Sequence, residues 1–314
     1  MAKAQQTFYV SANEDPQARL AELLRIRFGE VLNYRDAVLD PNNIDGVHDM
    51  RVAIRRLRSV IRDFAEIADK FPQKGVGKDL KALADALGSV RDADVEIEAM
   101  NALSKVAPED AVREGVFRIL DGYRERRGSA FAKLQPHLTD DAVVELSSKF
   151  EAAIESSLRQ RGLFGAGRVA DAGREIIDNR LDDFISLADA LYDPFATKRL
   201  HKLRIAGKHL RYAIELFAEV RGDVLSPFAV EIGKMQSFLG NVHDCDVWIA
   251  QFRSLLRKPR RKSPALEPTF AAAAWLLSEF TKKRTKAYRS ALKLWIELER
   301  SEMPNRLRAV LVDL

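Results

Sequence analysis

The sequence predicts an all-α fold made of two similar halves, and three observations lead to this prediction. The chain has 314 residues, of which 46% are hydrophobic, so it can bury a substantial core as one large domain or as two halves of about 150 residues. It is rich in Ala, Leu, Arg, Glu and Asp and has no regular series of alternating Val/Ile/Thr-rich runs, which favours helices over strands. Two motifs recur later in the chain at almost the same spacing, which indicates an internal duplication.

Breaks in the hydrophobic pattern divide each half into four predicted helices. In the first half these helices span about 14–40, 46–69, 75–102 and 109–134, and a connecting helix spans about 139–160. In the second half they span about 167–191, 195–220, 225–257 and 266–300. Stretches that contain proline or glycine separate them, such as FPQKG, VAPED and LYDPF. The predicted architecture is therefore two similar halves of four helices each, residues 1–160 and 161–314.

The second predicted helix carries a stripe of basic residues, which we call the first ridge. At about 100° per residue, Arg51, Arg55, Arg58 and Arg62 fall with His48 inside an arc of about 80°. The opposite face is apolar and contains Leu57, Val60, Ile61 and Phe64. No glutamate at the i,i+4 spacing relieves the repulsion along the stripe. A solvated helix face is the simplest alternative, but the pattern favours an external anion or carboxylates from another helix.

Residues 200–217 repeat this pattern, and we call their basic stripe the second ridge. The segment LHKLRIAGKHLRYAIELF shares seven of eighteen positions with residues 47–64, at an offset of 153 residues. The second ridge consists of His201, Arg204, Lys208 and Arg211. Arg62 of the first ridge corresponds to Glu215, so the second ridge is one cation shorter. Two ridges in a pseudo-twofold arrangement can face a shared groove, where one long anion would contact both.

A second repeated motif places paired aspartates about thirty residues after each ridge. Residues 87–95 (LGSVRDADV) and 239–247 (LGNVHDCDV) share six of nine positions at an offset of 152 residues. The four aspartates are Asp92, Asp94, Asp244 and Asp246. We expect their carboxylates to pair with ridge arginines or to support helix packing. The motif glycines, Gly88 and Gly240, suggest a close approach of two helices, because glycine is otherwise costly inside a helix.

Weaker matches extend the duplication and add basic residues to the predicted site. Arg27 corresponds to Arg180 at an offset of 153 residues, and Arg127 corresponds to Arg284 at an offset of 157 residues. We include all four arginines among the candidates for anion binding.

The histidines leave two chemical alternatives open. The HD dipeptide that begins at His243 is compatible with a metal phosphohydrolase, although the remaining histidines do not supply the further ligands that such a site needs. His48 and His201 could act as a general acid or base, but no nucleophile, metal motif or paired carboxylate accompanies them. A hydrogen bond to a bound anion or to a backbone carbonyl is favoured. We therefore predict no catalytic residue, no metal site and no cofactor.

Charge and composition limit the possible classes of protein. The net charge of +5 and the pI near 9.2 indicate a mild preference for anions. The longest apolar run, residues 270–277, is far below the roughly 20 residues that span a bilayer, and the first residues lack the apolar core of a signal peptide. The single cysteine, Cys245, excludes an internal disulfide framework. We expect a cytoplasmic protein without a membrane partner.

The repeated signature H-x-x-R-[VI]-x-x-[RK]-x-L-R, followed by L-G-x-V-x-D-x-D, resembles the CHAD family, the conserved histidine α-helical domains. The resemblance covers about residues 14–300. It implies two four-helix bundles related by pseudo-twofold symmetry, with a basic central channel that binds inorganic polyphosphate, and an association with polyphosphate granules in bacteria. Carried over by position, the binding residues are His48, Arg51, Arg55, Arg58, His201, Arg204, Lys208 and Arg211.

The same resemblance bears on function and partners. CHAD domains are often linked to CYTH triphosphate enzymes, whose E-x-E-x-K signature is not matched here, because Glu96 and Glu98 are followed by Met100. We therefore expect no fused enzyme and no enzymatic activity, with granule proteins or a separate CYTH-type enzyme as candidate partners. Polyphosphate carries charge but no bases, so arginine forks that bind phosphate oxygens suit it. The main alternative is a general polyanion or nucleic-acid binder, although base-reading and stacking residues are not evident and no specific nucleic acid is expected.

Overall fold

Helices make up all the regular structure of the described residues, which confirms the predicted all-α class. The structure, a computed structural model, describes residues 16–40, 43, 45–67, 75–159, 169–221, 224–257 and 267–312. Its α-helices are α1 (Pro16–Asn33), α2 (Arg35–Leu39), α3 (Gly46–Ile67), α4 (Val76–Ser104), α5 (Asp110–Leu134), α6 (Asp140–Arg159), α7 (Val169–Ile185), α8 (Thr197–Arg221), α9 (Ser226–Arg257), α10 (Glu267–Arg300) and α11 (Met303–Val312). Two short 3-10 helices, Gln135–Leu138 and Ala188–Tyr192, follow α5 and α7. None of the helices in these ranges is long and apolar enough to cross a lipid bilayer.

Most predicted boundaries agree closely with the observed helices, but three places differ. The predicted helix 14–40 is interrupted at Tyr34, whose backbone N–H bonds to the carbonyl of Val31 in a tighter turn before α2 begins. The predicted helix 167–191 leaves the α-helical conformation after Ile185 and resumes as the second 3-10 helix. Helix α11 has no counterpart among the predicted helices. It follows Glu302, whose φ of 50° ends α10 in the left-handed conformation.

The chain forms two compact units whose limits differ from those of the sequence repeat. Unit 1 comprises residues 1–95 and 124–173, and unit 2 comprises residues 96–123 and 174–314. Helices α4 and α5 therefore each contribute to both units. The predicted halves, 1–160 and 161–314, describe the duplication, and they and their pseudo-twofold relation stay predictions.

In unit 1, helix α3 packs against α1 and α2. Phe28 of α1 stacks on Phe150 of α6 with the ring centroids 4.1 Å apart. Helix α3 begins at Gly46, where a Cβ atom would lie 2.2 Å from the carbonyl oxygen of Ala37. Glycine is therefore required for α3 to start this close to α2. The first ridge helix is held in place from its first residue.

In unit 2, helix α9 packs against both α8 and α10 and forms the centre of the core. Trp248 of α9 is 6% exposed and stacks on Phe280 of α10 with the centroids 4.8 Å apart. The first part of α5 joins this core at Gly115, where a Cβ atom would lie 1.9 Å from the carbonyl oxygen of Pro268. The second ridge helix, α8, is thus supported by the central helix of its unit.

Candidate anion-binding site

The first ridge lies on the face of α3 that is turned away from the core. Leu57 and Val60 on the opposite face are 0% and 3% exposed, which confirms the predicted apolar face. Arg51 and Arg55 are half-buried, and Arg58 is exposed. The ridge is therefore partly accessible along its length.

Neighbouring side chains hold two arginines of the first ridge. Nη1 of Arg51 donates to Oδ1 of Asp92 at 3.2 Å, so the first aspartate of the motif pairs with a ridge arginine as predicted. Nε of Arg62 donates to Asp63 at 2.9 Å, and its Nη2 donates to the hydroxyl of Ser59 at 2.6 Å. Because Asp63 is 1% exposed, this contact ties Arg62 to its own helix.

The other two arginines of the first ridge are not held in this way. Nε of Arg55 is buried, and no described residue accepts a hydrogen bond from it. A buried donor that lacks an acceptor costs about 1–3 kcal/mol, so such groups in proteins are rare. Arg58 is exposed and forms no ion pair with any residue that the structure describes. Arg55 and Arg58 can therefore reach an anion from outside the protein.

A cation from α4 lies near the ridge histidine of unit 1. Burial lowers the pKa of His48, and the charge of Arg91 lowers it further. The imidazole is accordingly neutral at pH 7. Arg91 is a basic residue that the predicted site does not include.

The second ridge, on α8, has matching positions but different contacts. Nε of Arg204 is buried without an acceptor in the described part of the chain, whereas its counterpart Arg51 is paired. Lys208 is half-buried. Arg211 forms an ion pair with Glu215 at 3.1 Å, although the direction of the N–H leaves Nε without a hydrogen bond. Glu215 thus replaces the cation that Arg62 supplies on the first ridge, and it also offsets the charge of Arg211.

The histidine of the second ridge contacts another histidine. The Nδ1 atoms of His201 and His243 are 3.1 Å apart, and their ring centroids are 4.2 Å apart. Burial lowers the pKa of His201, and His243, Arg204 and Lys208 lower it further. His243 occupies the motif position that Arg91 occupies in the first half. Neither Arg91 nor His243 is part of the predicted site. The sequence signal that points to both is their position directly before the first aspartate of the repeated motif.

Each motif glycine lies beside a ridge arginine. A Cβ atom on Gly88 would be 4.0 Å from Nε of Arg51, and one on Gly240 would be 3.7 Å from Nε of Arg204. These are ordinary contact distances, and the nearest atoms belong to side chains. The nearest described neighbours of these glycines are therefore the guanidinium groups of the ridge, and the expected close approach of two helices at the glycines stays a prediction.

The second aspartate of each motif pairs with an arginine outside the ridges. Asp94 accepts a hydrogen bond from Nε of Arg127 on α5 at 2.5 Å, and Asp246 accepts one from Nε of Arg284 on α10 at 2.5 Å. The two carboxylates are 9% and 17% exposed. The predicted pairing with ridge arginines thus holds for Asp92 and not for these two aspartates. Because Arg127 and Arg284 already bind carboxylates, we leave them out of the proposed contact surface.

Arg27 and Arg180 are buried rather than presented to solvent. They are 4% and 7% exposed. Nη1 of Arg27 donates to Glu30 at 2.8 Å, and Nη1 of Arg180 donates to Asp183 at 3.3 Å, each within one helix. A guanidinium group that is buried and paired offers little surface to a chain-like ligand. We leave these two arginines out of the proposed contact surface as well.

The possible metal ligands are dispersed among the described residues, and the thiol of Cys245 is buried. Among the described residues, no three His, Cys, Asp or Glu side chains converge in a way that could hold a metal ion. Cys245 is buried, and burial raises the pKa of its thiol to about 11. The thiol is therefore protonated and unreactive at neutral pH.

An all-α chain with repeated basic ridges and paired aspartates defines a class of helical domain, and comparison with known proteins identifies that class. Residues 22–253 match the CHAD domain family, and the chain belongs to this family. The chain is 28% identical over 240 residues to the uncharacterized protein Rv2226 of Mycobacterium tuberculosis, a match that covers 75% of this chain. It covers 44% of that protein, so the chain spans less than half the length of this relative.

Two solved structures share the fold. The crystal structure of the CHAD domain from the plant Ricinus communis superposes with a TM-score of 0.70 at 22% identity, covering 93% of this chain and 95% of that one. PptA from Streptomyces chartreusis superposes with a TM-score of 0.64 at 19% identity, covering 89% and 98%.

Proposed function

We propose that this protein binds inorganic polyphosphate through the two basic ridges, as a binding module and not as an enzyme. Arg55, Arg58 and Arg204 are the principal contacts in this proposal. His48, Arg51, His201, Lys208 and Arg211 complete the proposed contact surface. A location in the cytoplasm at polyphosphate granules, with granule proteins or a CYTH-type triphosphate enzyme as partners, belongs to the same proposal and rests on the family resemblance.

The observation that carries the proposal is the buried Nε atom on Arg55 and on Arg204, one on each ridge, for which no described residue is an acceptor. In each case a charged N–H group has no hydrogen-bond acceptor among the described residues. Oxygen atoms of a phosphate chain supply both the acceptor and the opposite charge, and guanidinium groups bind them with a planar fork of donors. A solvated helix face would instead keep these N–H groups in water.

The length of the ridge favours a chain over a single phosphate. From His48 to Arg58 the proposed contact residues of the first ridge extend about 15 Å along α3, at about 1.5 Å per residue. Binding of this kind releases counterions and is therefore sensitive to salt.

Titration calorimetry with long-chain polyphosphate at two salt concentrations tests the proposal. The wild type is compared with Arg55→Gln/Arg204→Gln, which removes the two donors. A matched control, Arg25→Gln/Arg118→Gln, removes the same charge from exposed ion pairs on α1 and α5. We expect the first variant to lose on the order of tenfold in affinity per arginine, because hydrogen bonds to charged groups contribute about 1.5–3 kcal/mol. The slope of log affinity against log salt concentration should decrease in magnitude by about one for each arginine removed.

The control variant should bind polyphosphate nearly as well as the wild type. Circular dichroism must show that all three proteins are folded. Absent binding, or equal losses in both variants, would contradict the proposal. A single-stranded nucleic acid of equal charge that displaces polyphosphate would indicate a general polyanion binder instead.

A further inference from the structure

The contact between His201 and His243 has no equivalent in unit 1. The two Nδ1 atoms lie 3.1 Å apart in unit 2. In unit 1 the position of His243 is taken by Arg91, which acts on His48 as a permanent cation. One ridge therefore borders a fixed charge, and the other borders a group that can gain a charge.

The contact limits how many protons the histidine pair can hold. Two Nδ1 atoms at hydrogen-bond distance require one to donate a proton and the other to accept it. When both rings are neutral, the donor ring has an unprotonated Nε2 atom, whereas the acceptor ring carries its proton on Nε2. One added proton on the unprotonated Nε2 keeps the contact and makes both Nε2 atoms donors. A second added proton would set two N–H groups against each other, so the intact pair takes up one proton.

The surroundings of His201 favour its neutral form in the free protein. Burial and the neighbouring groups His243, Arg204 and Lys208 lower the pKa of His201. On α9, Asp244 follows His243 in the chain and is exposed. A phosphate chain placed against Arg204 would offset the positive charge around the pair. Its oxygen atoms only accept hydrogen bonds, so they favour the state in which both Nε2 atoms donate.

Building on the proposed polyphosphate binding, we propose that the His201–His243 pair is a proton-dependent part of the anion site in unit 2, which takes up one proton as a phosphate chain binds. The affinity of the second ridge then rises as the pH falls. Below the pKa of the free pair this gain is complete, and it is lost as the pH rises through the higher pKa of the complex. At the matching position of the first half, Arg91 contributes a charge that does not depend on pH in this range.

The test compares long-chain polyphosphate binding at pH 6 and pH 8 at constant ionic strength, using the full chain. His48→Gln serves as the background, since it removes the titration of the other ridge histidine. In this background we expect affinity to fall about three- to tenfold from pH 6 to pH 8, within the tenfold per pKa unit that one proton allows. Calorimetry in two buffers of different ionisation enthalpy should show a net proton uptake equal to the slope of log affinity against pH, about a quarter to a half of a proton on average over this range. The ligand is the same throughout, so the titration of its terminal phosphates cancels between variants.

The decisive variant is His243→Arg in the same background, which introduces the residue of the first half. Its affinity should no longer vary between the two pH values, and the linked proton uptake should vanish. If it does not fold, as judged by circular dichroism, His201→Gln must show the same loss of pH dependence. An unchanged pH dependence in the folded variant overturns the inference but leaves the proposed function intact. Absent binding of the wild type at both pH values overturns the proposed function, and the role of the pair with it.

Discussion

The two ridges derive from one motif, yet the protein holds their charges differently. On α3, Arg51 is paired with Asp92, and the ridge histidine lies near the permanent cation Arg91. On α8, Nε of Arg204 has no acceptor among the described residues, and the ridge histidine contacts His243. The motif therefore specifies where the cations stand along the helix. The neighbouring helix decides which of them are held, and it places either a permanent cation or a second histidine beside the ridge histidine.

Beneath this difference, both halves contain the same supporting ion pair. Asp94 binds Arg127, and Asp246 binds Arg284, at equal distances. The arginines differ in enclosure, since Arg127 is 35% exposed and Arg284 is 14% exposed. Arg284 also donates to the carbonyl of Pro194, just before α8 begins. Substitutions at matching positions of the two halves can therefore distinguish the interactions that the halves share from those that differ between them.

The largest effect is expected for Arg284→Met, which leaves the carboxylate of Asp246 without its cation. Loss of one partner of a mostly buried pair costs about 3–4 kcal/mol of unfolding free energy. Arg127→Met should cost less, because water can enter the more open space that Arg127 leaves. Urea unfolding followed by tryptophan fluorescence tests the first change, since all three tryptophans lie in unit 2. Circular dichroism follows both variants, and Arg289→Met, at an exposed position of α10, is the control. Equal midpoints for Arg284→Met and Arg289→Met would refute the expectation.

The next effect is expected for Gly46→Ala, which concerns the first ridge alone. The added Cβ would meet the backbone of α2 at 2.2 Å, so α3 or α2 must shift at a cost of about 3 kcal/mol. The equivalent position before the second ridge, Arg199, is exposed and has a side chain already. Thermal unfolding followed by circular dichroism measures the loss. The control Gly29→Ala has open space around its Cβ and should be neutral or stabilising. A Gly46→Ala variant as stable as this control would show that α3 can start elsewhere.

A smaller effect concerns the buried thiol of unit 2, whose counterpart in the first half is Ala93. At pH 8, a pKa near 11 instead of 9.0 leaves Cys245 with a roughly hundredfold smaller thiolate fraction. Alkylation of the native protein with iodoacetamide should therefore be at least about a hundredfold slower than that of the urea-unfolded chain. Mass spectrometry measures both rates. Comparable rates would mean that this part of the core opens readily.

The smallest effect is expected for Gly88→Ala and Gly240→Ala. Both glycines have ordinary contact distances to a ridge arginine, so the gain in helix propensity, about 0.5–1 kcal/mol, should be largely retained in each half. Gly207→Ala is the contrast on the second ridge helix, because its Cβ would lie 3.1 Å from the ring of Phe184. Differential scanning calorimetry compares the three variants. Clear destabilisation by Gly88→Ala or Gly240→Ala would support the expectation that these glycines permit close helix packing.

The sequence was sufficient to predict most of the fold because the information needed is local. The period of the apolar residues placed Leu57 in the core and the basic residues on the other face of α3, and breaks rich in proline or glycine placed the helix ends. The interruption at Tyr34 lies at a turn without such a signal, whereas the start of α11 carries one, Pro304, which the predicted boundary at residue 300 did not use. The expectation that motif aspartates pair with ridge arginines was confirmed for Asp92, which binds Arg51. This pairing could be expected because the aspartates and the ridge cations are repeated together in the sequence.

Sequence alone determined the family, the all-α class, the duplicated motifs and the face of each helix that carries charge, because these follow from residue type and helical period. Only the tertiary structure decided which of the basic residues are accessible. It buried Arg27 and Arg180 against carboxylates of their own helices, and it brought His243 to His201 from another helix. The physical reason is that an ion pair or an imidazole contact forms over a few ångströms, and the distance between side chains on different helices depends on how the helices pack.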